Sequence, residues 1–424
     1  MKHLKRFTLL AMFAAVAVAT ANNALAQVRP AFFTWDTSPV RWSMATHVSP
    51  YGLAVVGLYN NRHYSGPDPQ NLVLWDTTGT YTLGSTFGTD VPFADIATHT
   101  DISAGGHVIT ATWPDGSRTF FRGQAAYWKR GEGWRMVPFP VPTFSSTAAG
   151  VSIDGNVIVG TAQFNESGPG WYYTRLYRWD RRYNFWRLIA FGNPGEPVIL
   201  DVRAVAAGGA WKAAGIVYRV SGVQPPPPYS FQFPPPDPLK RLDWLLDPRH
   251  PGHRLELHWE TGTIGLISST DGFLADFSTG NITTFAYPGE RTYPLGISPE
   301  GGFVVGTTQY NKAWIWSPTS GMRTLPDPRP YNGRNYFAEA AYACTWDGRE
   351  VVGTAKRYQD YGKEDRAVLW DTRTWQGWDL NSLYVIPDGY IECATDISPD
   401  GRYIVGYGKQ RSPGKRLAFL LARW

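Results

Sequence analysis

Short apolar runs alternate with tight turns along this chain from Thr46 onward, and the pattern repeats. In the last complete copy, Asp396–Gly401 contains an Asp-Gly turn, Tyr403–Gly406 is a β-branched run ending in glycine, and Leu417–Leu421 is a further apolar run. An Asp-Gly pair between two apolar runs is typical of a β-hairpin. The pattern therefore predicts an all-β chain built from repeated hairpins.

The turn recurs in eight versions, mostly about 50 residues apart. They are Ser49–Gly52, Ser103–Gly106, Ser152–Gly155, Ala206–Gly209, Trp259–Gly262, Ser298–Gly301, Thr345–Gly348 and Ser398–Gly401. A second signature follows most of the turns, an apolar strand that usually ends in Trp, as in Leu72–Trp75 and Ala367–Trp370. A further turn and a short fourth strand complete each unit. Four strands in roughly 50 residues have the proportions of a propeller blade, so we expect a single β-propeller of four-stranded blades.

We expect eight blades, with seven as the alternative, because the units at Ala206 and Trp259 are irregular. The last unit stops at its third strand, Leu417–Leu421. Conversely, the apolar segment Ala31–Trp35 precedes the first turn and has no unit of its own. Pairing these two segments would complete the last blade, close the ring and remove two exposed sheet edges.

Residues 219–254 interrupt the repeat with two proline runs, Pro225–Pro228 and Pro234–Pro236. Proline donates no backbone hydrogen bond, so these runs do not fit a sheet ladder. We expect a polyproline-like insertion within the propeller. It would serve either as a lid or docking arm, or as a loop packed on the rim.

The first 26 residues have the composition of a secretory signal peptide: a basic start, an apolar run over 7–20, and small residues before Gln27. No later apolar run is long enough to span a membrane as a helix. We therefore expect cleavage after Ala26, and a secreted or periplasmic mature chain whose propeller covers 27–424.

Composition restricts the classes of partner. Aromatic residues make up 15% of the chain and charged residues 18%, which argues against extensive disorder. Three Lys and Arg and no Asp or Glu lie in residues 1–26, so removing them lowers the formal net charge from +5 to +2. A nucleic-acid partner would require a face with clustered Lys and Arg. A formal net charge of +2 does not predict such a face, so we expect no nucleic-acid partner.

The two cysteines, Cys344 and Cys393, lie about one repeat apart, on the expected inner strands of successive units. In an oxidising compartment, an even number of cysteines permits one disulfide. The pair is a disulfide candidate that would clamp neighbouring blades. The alternative is two buried thiols that only pack.

The order of signatures suggests a family. Ser-Pro-Asp-Gly, then Val-Val-Gly, then Ala-Val-Leu-Trp and Gly-x-x-x-Leu, resembles the bacterial extracellular HAF repeat, and Ala31–Phe33 and Ala418–Leu420 occupy the short apolar-aromatic strand after which it is named. The resemblance extends over most of the mature chain and is poor in the units at Ala206 and Trp259. It implies a secreted, propeller-like bacterial protein, and it carries no catalytic signature.

Alternating strand directions place the long, individual loops and the connectors between blades on one face of the ring, the loop-rich face. The turns listed above form the opposite, short-turn face. Variable loops on a rigid scaffold are common binding sites, and aromatic side chains stack on sugars or hold peptides. Candidate ligand-binding residues of the loop-rich face are Tyr59, His63, Tyr64, Trp171, Tyr172, Tyr173, Tyr310, Tyr358 and Tyr361. The alternative is that these aromatic residues bind no ligand and only pack against one another to cover the rim of the ring.

A second candidate set lies on the expected inner strands around the central channel. It comprises His47, His99, Asp101, Arg203, Glu392 and Asp396. A histidine beside a carboxylate suits general-base chemistry, and an arginine would neutralise an acidic substrate. We recognise no nucleophile elbow, phosphate loop or zinc-binding histidine pair, and we expect no metal or cofactor.

Two hypotheses follow. The first is a non-catalytic binding or scaffold propeller that recognises a glycan or an extracytoplasmic protein on its loop-rich face. The alternative is a polysaccharide-active enzyme, a lyase on uronic-acid substrates, in which His47, His99, Asp101 and Arg203 carry the chemistry.

Overall fold

A computed structural model of the chain describes residues 31–37, 42–60, 71–83, 100–114, 123–165, 172–191, 198–224, 256–258, 264–357, 365–411 and 414–423. The strands in these ranges form seven antiparallel sheets. The architecture is a single β-propeller with seven blades. The all-β propeller expected from the repeat is confirmed, whereas the preferred count of eight blades is wrong and the alternative of seven is right.

Strand β1 (Ala31–Trp35) precedes the first blade, and three blades follow in chain order, each from the inner to the outer strand. Blade 1 contains β2 (Trp42–Val48), β3 (Ala54–Asn60), β4 (Asn71–Asp76) and β5 (Gly79–Thr82). Blade 2 contains β6 (Asp101–Ile102), β7 (Val108–Pro114), β8 (Gly123–Lys129) and β9 (Gly133–Met136). Blade 3 contains β10 (Thr143–Val151), β11 (Val157–Asn165), β12 (Tyr172–Asp180) and β13 (Phe185–Ala190).

The remaining blades include the irregular one. Blade 4 contains β14 (Val198–Val205), β15 (Lys212–Gln224), β16 (Glu256–His258), β17 (Ile264–Asp276) and β18 (Asn281–Phe285). Blade 5 contains β19 (Thr292–Ile297), β20 (Val304–Thr308), β21 (Trp314–Ser317) and β22 (Gly321–Thr324). Blade 6 contains β23 (Tyr336–Cys344), β24 (Glu350–Arg357), β25 (Asp365–Asp371) and β26 (Gln376–Asp379). Blade 7 contains β27 (Gly389–Ile397), β28 (Tyr403–Gln410), β29 (Arg416–Arg423) and β1.

Blade 4 explains the miscount, because it contains both irregular units. Its strands β15 and β17 are 13 residues long and pair antiparallel from Lys212 to Gln224. The segment at Trp259 lies between β16 and β17, which pair with each other in the same sheet. The shortened copy therefore falls within the chain span of blade 4 and does not form a blade of its own. Residues 219–224 of the predicted insertion belong to β15, and 225–254 lie outside the described residues.

The N-terminal strand closes the ring, as expected. Strand β1 pairs antiparallel with β29 in continuous register from Ala31 opposite Arg423 to Trp35 opposite Phe419. The Phe33 ring stacks on that of Phe419, with centroids 5.6 Å apart. The Trp35 indole donates a hydrogen bond to the carbonyl oxygen of Pro387 at 2.9 Å.

Apolar packing joins every blade to the next. The buried apolar residues form seven clusters, and each cluster combines side chains of two neighbouring blades. One of the seven joins blade 7 to blade 1 through Val405, Ala418, Ala45, Val48 and Val55. The ring is therefore closed by burial as well as by strand pairing.

The repeated short turn is a structural device. A Ser or Thr hydroxyl oxygen at its start accepts the backbone N–H five residues later in six blades, at 2.9 to 3.1 Å. The glycine at its fourth position has φ between 64° and 73° in the same blades, a conformation that favours glycine. The aspartates of the Asp-Gly turns accept bonds from these hydroxyls, as Asp400 does from Ser398 at 2.7 Å. These hydroxyl residues and aspartates therefore stabilise the turn.

Helical structure is sparse in the described residues. It consists of one α-helical turn, Leu380–Leu383, and a 3₁₀ turn, Ala104–Gly106. Across those residues no helix has both the length and the apolar character needed to cross a bilayer.

We predict that Phe33→Ala lowers the free energy of unfolding by about 2 kcal/mol, because it removes a half-buried ring from the closing strand. Thr34→Ala on the same strand is the matched control and should change stability little, since its hydroxyl bonds only to the adjacent Trp35 carbonyl oxygen. Urea unfolding of both variants tests this, and equal losses would contradict a specific role for Phe33.

Candidate functional site

A β-bulge recurs at one position of the inner strands. In six blades the pairing between the first two strands shifts by one residue near the end of the inner strand. The inserted residues are Thr46, Ala149, Arg203, Leu295, Tyr342 and Thr395. A bulge redirects the side chains around it. The inserted residue and the residue after it both face the centre of the ring in most of these blades.

These residues line a cavity of about 210 Å³ to which all seven blades contribute. Its wall reaches Pro50, Pro299 and Pro399 of the short turns, and on the other side it extends to Met44 and Cys393. The cavity therefore occupies the half of the ring nearest the short-turn face. The sequence argument had placed the binding surface on the opposite, loop-rich face.

One register position gives the cavity two unlike sides. The residue directly after the bulge position, two before the turn Ser or its equivalent, is polar in three consecutive blades: Asp396 in blade 7, His47 in blade 1 and Asp101 in blade 2. The equivalent residues of blades 3 to 6 are small, namely Gly150, Ala204, Gly296 and Ala343. A single position of the repeat thus supplies two carboxyl groups and an imidazole to one sector of the ring.

Asp396 connects blade 7 to blade 1. Its Oδ2 accepts the backbone N–H of Val48 at 2.9 Å, and its Oδ1 accepts the N–H of Ile397 at 2.8 Å. Burial, with a smaller contribution from the nearby Asp101, raises the pKa of this carboxyl to about 8, and the two N–H bonds oppose the shift.

Asp101 makes the same arrangement between blades 2 and 3. Its Oδ2 accepts the backbone N–H of Val151 at 2.8 Å, and its Oδ1 accepts the N–H of Ile102 at 2.8 Å. Burial raises the pKa of Asp101 to about 7, and these bonds oppose the shift.

His47 lies between the two carboxyl groups in ring order. Its Nδ1 is 3.4 Å from the Thr100 hydroxyl, which in turn lies 3.3 Å from the hydroxyl of Thr46. Burial lowers the pKa of His47 to about 4, so the imidazole is neutral at physiological pH.

Arg203 reaches the cavity from blade 4, with its charge already compensated. Its guanidinium forms an ion pair with Asp201, with Nη2 2.5 Å from Oδ2, and it also bonds to Tyr218. These partners raise the pKa of Arg203 although burial opposes them. Arg203 lies three blades away from His47, and Asp201 already compensates its charge. Both facts argue against Arg203 as the residue that neutralises an acidic substrate.

The structure brings together most of the predicted inner-strand set. His47, Asp101, Arg203 and Asp396 line the same cavity, whereas Glu392 pairs with Arg416 at 2.9 Å and does not line it. The candidate His99 lies outside the described residues. Tyr342 and Tyr407, which sequence reasoning missed, also line the cavity. Tyr342 faces the cavity because it is the inserted residue of the bulge in blade 6. An alignment of the repeats does not reveal this bulge.

The loop-rich candidates are only partly described. His63, Tyr64, Trp171, Tyr358 and Tyr361 lie outside the described residues, and Tyr172 and Tyr173 belong to strand β12. Tyr59 lies in β3, and its hydroxyl bonds to Thr82 of its own blade. Tyr310, on the β20–β21 connection, is 55% exposed, and its role in binding stays a prediction.

The two cysteines are free, buried thiols and form no bridge. Cys344 directly precedes its turn, so its counterpart in blade 7 is Ile397, whereas Cys393 lies four residues earlier on that strand. Four strand residues span about 13 Å, and a disulfide tolerates Cα separations of up to about 7 Å. Burial raises the pKa of both thiols well above the ordinary value.

In the described part of the chain, no group of three or more His, Cys, Asp or Glu side chains is placed to hold a metal ion. No protein-family model and no curated protein matches the chain.

Several solved structures match this chain at low sequence identity. The β-propeller domain of the Trilobed protease from Pyrococcus furiosus is 10% identical, over 90% of this chain and 94% of that chain, with a TM-score of 0.48. Dipeptidyl peptidase 4 from Porphyromonas gingivalis is 11% identical, over 90% of this chain, with a TM-score of 0.46. The acylaminoacyl peptidase of Pyrococcus horikoshii is 11% identical, over 91% of this chain, with a TM-score of 0.44.

This chain covers 52% of each of the two peptidase chains. At these TM-scores the similarities carry no argument about chemistry, and the blade count rests on the strand pairing described above.

We predict that neither thiol reacts with a maleimide in the folded protein, because both are buried and stay protonated. Unfolding without reductant should expose two reactive thiols per chain. Mass spectrometry after alkylation measures both states, and an absence of thiols in the unfolded, unreduced chain would contradict the free cysteines.

Proposed function

We propose that this chain is a non-catalytic binding propeller outside the bacterial cytoplasm that recognises a glycan or a protein partner. The central cavity is the observation that carries the proposal. It is concave, apolar over part of its wall, and supplied with a few converging polar groups, which is the usual character of a ligand site. Its size suits one sugar unit or one side chain of a larger partner.

The polar groups of the cavity favour binding over catalysis. Both oxygens of Asp101 and of Asp396 accept backbone N–H bonds, and Arg203 is paired with Asp201. These groups are held in place by structural partners, which suits the fixed wall of a binding site. The loop-rich face, where Tyr310 is exposed, is the surface that we propose for the rest of a large partner.

We also propose, on the sequence alone, that the chain belongs to the HAF-repeat family and that cleavage after Ala26 releases it to the periplasm or the cell exterior. The signal-peptide composition of residues 1–26 and the order of the repeat signatures support both statements.

We predict that the purified protein binds members of a glycan array or a peptide array. Ala343→Leu, which narrows the cavity, should reduce binding at least tenfold if the cavity holds the ligand, whereas Tyr310→Ala should do so if the loop-rich face dominates. Tyr183→Ala is the matched control, because Tyr183 is 76% exposed on the other face. The melting temperature of each variant checks folding. An array without any signal would contradict the binding function.

A lyase acting on uronic-acid polysaccharides is the second candidate, because His47, Asp101 and Arg203 line one cavity. His47 is neutral and therefore able to accept a proton. Incubation with uronic-acid polysaccharides should then yield unsaturated sugar ends, detected by their ultraviolet absorbance, and His47→Ala should abolish them. Product that persists in His47→Ala, or no product from the unmodified protein, would contradict this candidate.

A further inference from the structure

A chain of hydroxyl groups fixes the tautomer of His47. The Thr46 hydroxyl donates its proton to the carbonyl oxygen of Val56 at 3.0 Å, so its oxygen can only accept from a further neighbour. That neighbour is the Thr100 hydroxyl, 3.3 Å away, whose own proton is therefore used. The Thr100 oxygen lies 3.4 Å from Nδ1 of His47 and is left to accept from it. The neutral imidazole thus carries its proton on Nδ1, and Nε2 is a bare acceptor.

The two carboxyl groups of the same cavity also have unused acceptor capacity. Each oxygen of Asp101 and of Asp396 accepts one backbone N–H. An ionised carboxylate has about four lone-pair sites, so two remain on each group. Together with Nε2 of His47, the wall therefore offers three acceptor groups to a ligand.

No cation of the described residues compensates these carboxyl groups. The guanidinium of Arg203 lines the cavity but is paired with Asp201, with Nη2 2.5 Å from Oδ2. A buried carboxylate without a cation is costly, and burial accordingly raises the pKa of both acids. A ligand that brings a positive charge would remove this cost.

The rest of the wall suits an apolar stem that carries the charge. It contains the aromatic rings of Tyr342 and Tyr407, and an aromatic face attracts a cation. It also contains six branched aliphatic residues, namely Val48, Ile102, Val205, Leu295, Ile297 and Ile397. The long cationic side chains of proteins combine an aliphatic stem with a charged end in this way.

The spread of the acceptors favours a forked donor over a point charge. Within the described ranges, no three His, Cys, Asp or Glu groups are placed to hold one metal ion, so the acceptors do not converge on a point. A guanidinium has five N–H donors in a planar fork and no acceptor, and it is more weakly hydrated than an ammonium. A sugar hydroxyl brings no charge to the two carboxyl groups.

We propose that the cavity binds the arginine side chain of a protein partner, whose guanidinium donates to Asp101, Asp396 and Nε2 of His47. This inference rests on the proposed binding function and names the group that enters the cavity. The aliphatic stem of the arginine would lie against the apolar wall.

Binding of small probes to the unmodified protein tests the charge and shape of the ligand. Calorimetry at pH 9, where both carboxyl groups are ionised and a guanidinium is still charged, should detect binding of Nα-acetyl-arginine methylamide. The citrulline analogue has the same shape without the charge and should bind at least tenfold more weakly. Equal binding of the citrulline probe would overturn the proposal, as would tighter binding of the matching lysine probe or of glucosamine.

Substitution tests the two carboxyl groups. Asp101→Asn and Asp396→Asn each keep an oxygen that can accept a backbone N–H but remove the charge. Each should weaken binding of the arginine probe at least tenfold, whereas Asp400→Asn, the matched control in an exposed turn, should leave it unchanged. Undiminished affinity in both cavity variants would overturn the proposal.

Nuclear magnetic resonance of the unmodified protein tests the acceptor role of His47 without any substitution. Nitrogen-15 spectra of the imidazole should show the tautomer protonated on Nδ1, and the arginine probe should shift the Nε2 signal. A tautomer protonated on Nε2, or an Nε2 signal that saturating probe leaves unmoved, would overturn the proposal. This measurement decides the matter if a cavity variant fails to fold.

The inference and the binding function can fail separately. An array ligand that the arginine probe does not displace would overturn the inference and leave the binding function intact. An array without any signal would contradict the binding function, and the inference that rests on it would be overturned as well.

Discussion

Each blade of this propeller buries apolar side chains against both of its neighbours, and all blades can do so only in a closed ring. The seven apolar clusters coincide with the seven junctions between blades, including the one between the first and the last. Strand β1 adds the missing outer strand of blade 7, and the buried Arg423 side chain ties that blade to blade 6 through Glu350. Closure therefore combines burial and strand pairing, and the Arg423–Glu350 ion pair joins the last two blades.

The closed ring converts one repeated bulge into a cavity. Because the bulge lies at the same level of the inner strands, it directs side chains of every blade described with it toward one volume. The residue type at a single register position then decides the character of each sector. Asp396, His47 and Asp101 are polar at this position, and the equivalent residues of the other four blades are small.

Part of the candidate site could be predicted from residue order. His47, Asp101, Arg203 and Asp396 were expected on inner strands, and the strand pairing brings them to one cavity. Their roles could not be predicted, because the partners are distant in sequence: the N–H that binds Asp396 belongs to Val48, at the other end of the chain.

Local chemistry is what the sequence determined by itself: the strands, the Ser and Asp-Gly turns, the all-β class, and the open last blade that Ala31–Trp35 completes. The strands, turns and fold class depend on residues close together in the chain. The completion of the last blade follows from one unpaired segment at the start of the repeats and one missing strand at their end. Tertiary structure alone decided the number of blades, the free state of Cys344 and Cys393, and the end of the ring that holds the cavity. Each of these depends on which strands pair and in what register, and distant segments set that pairing through the area they bury together.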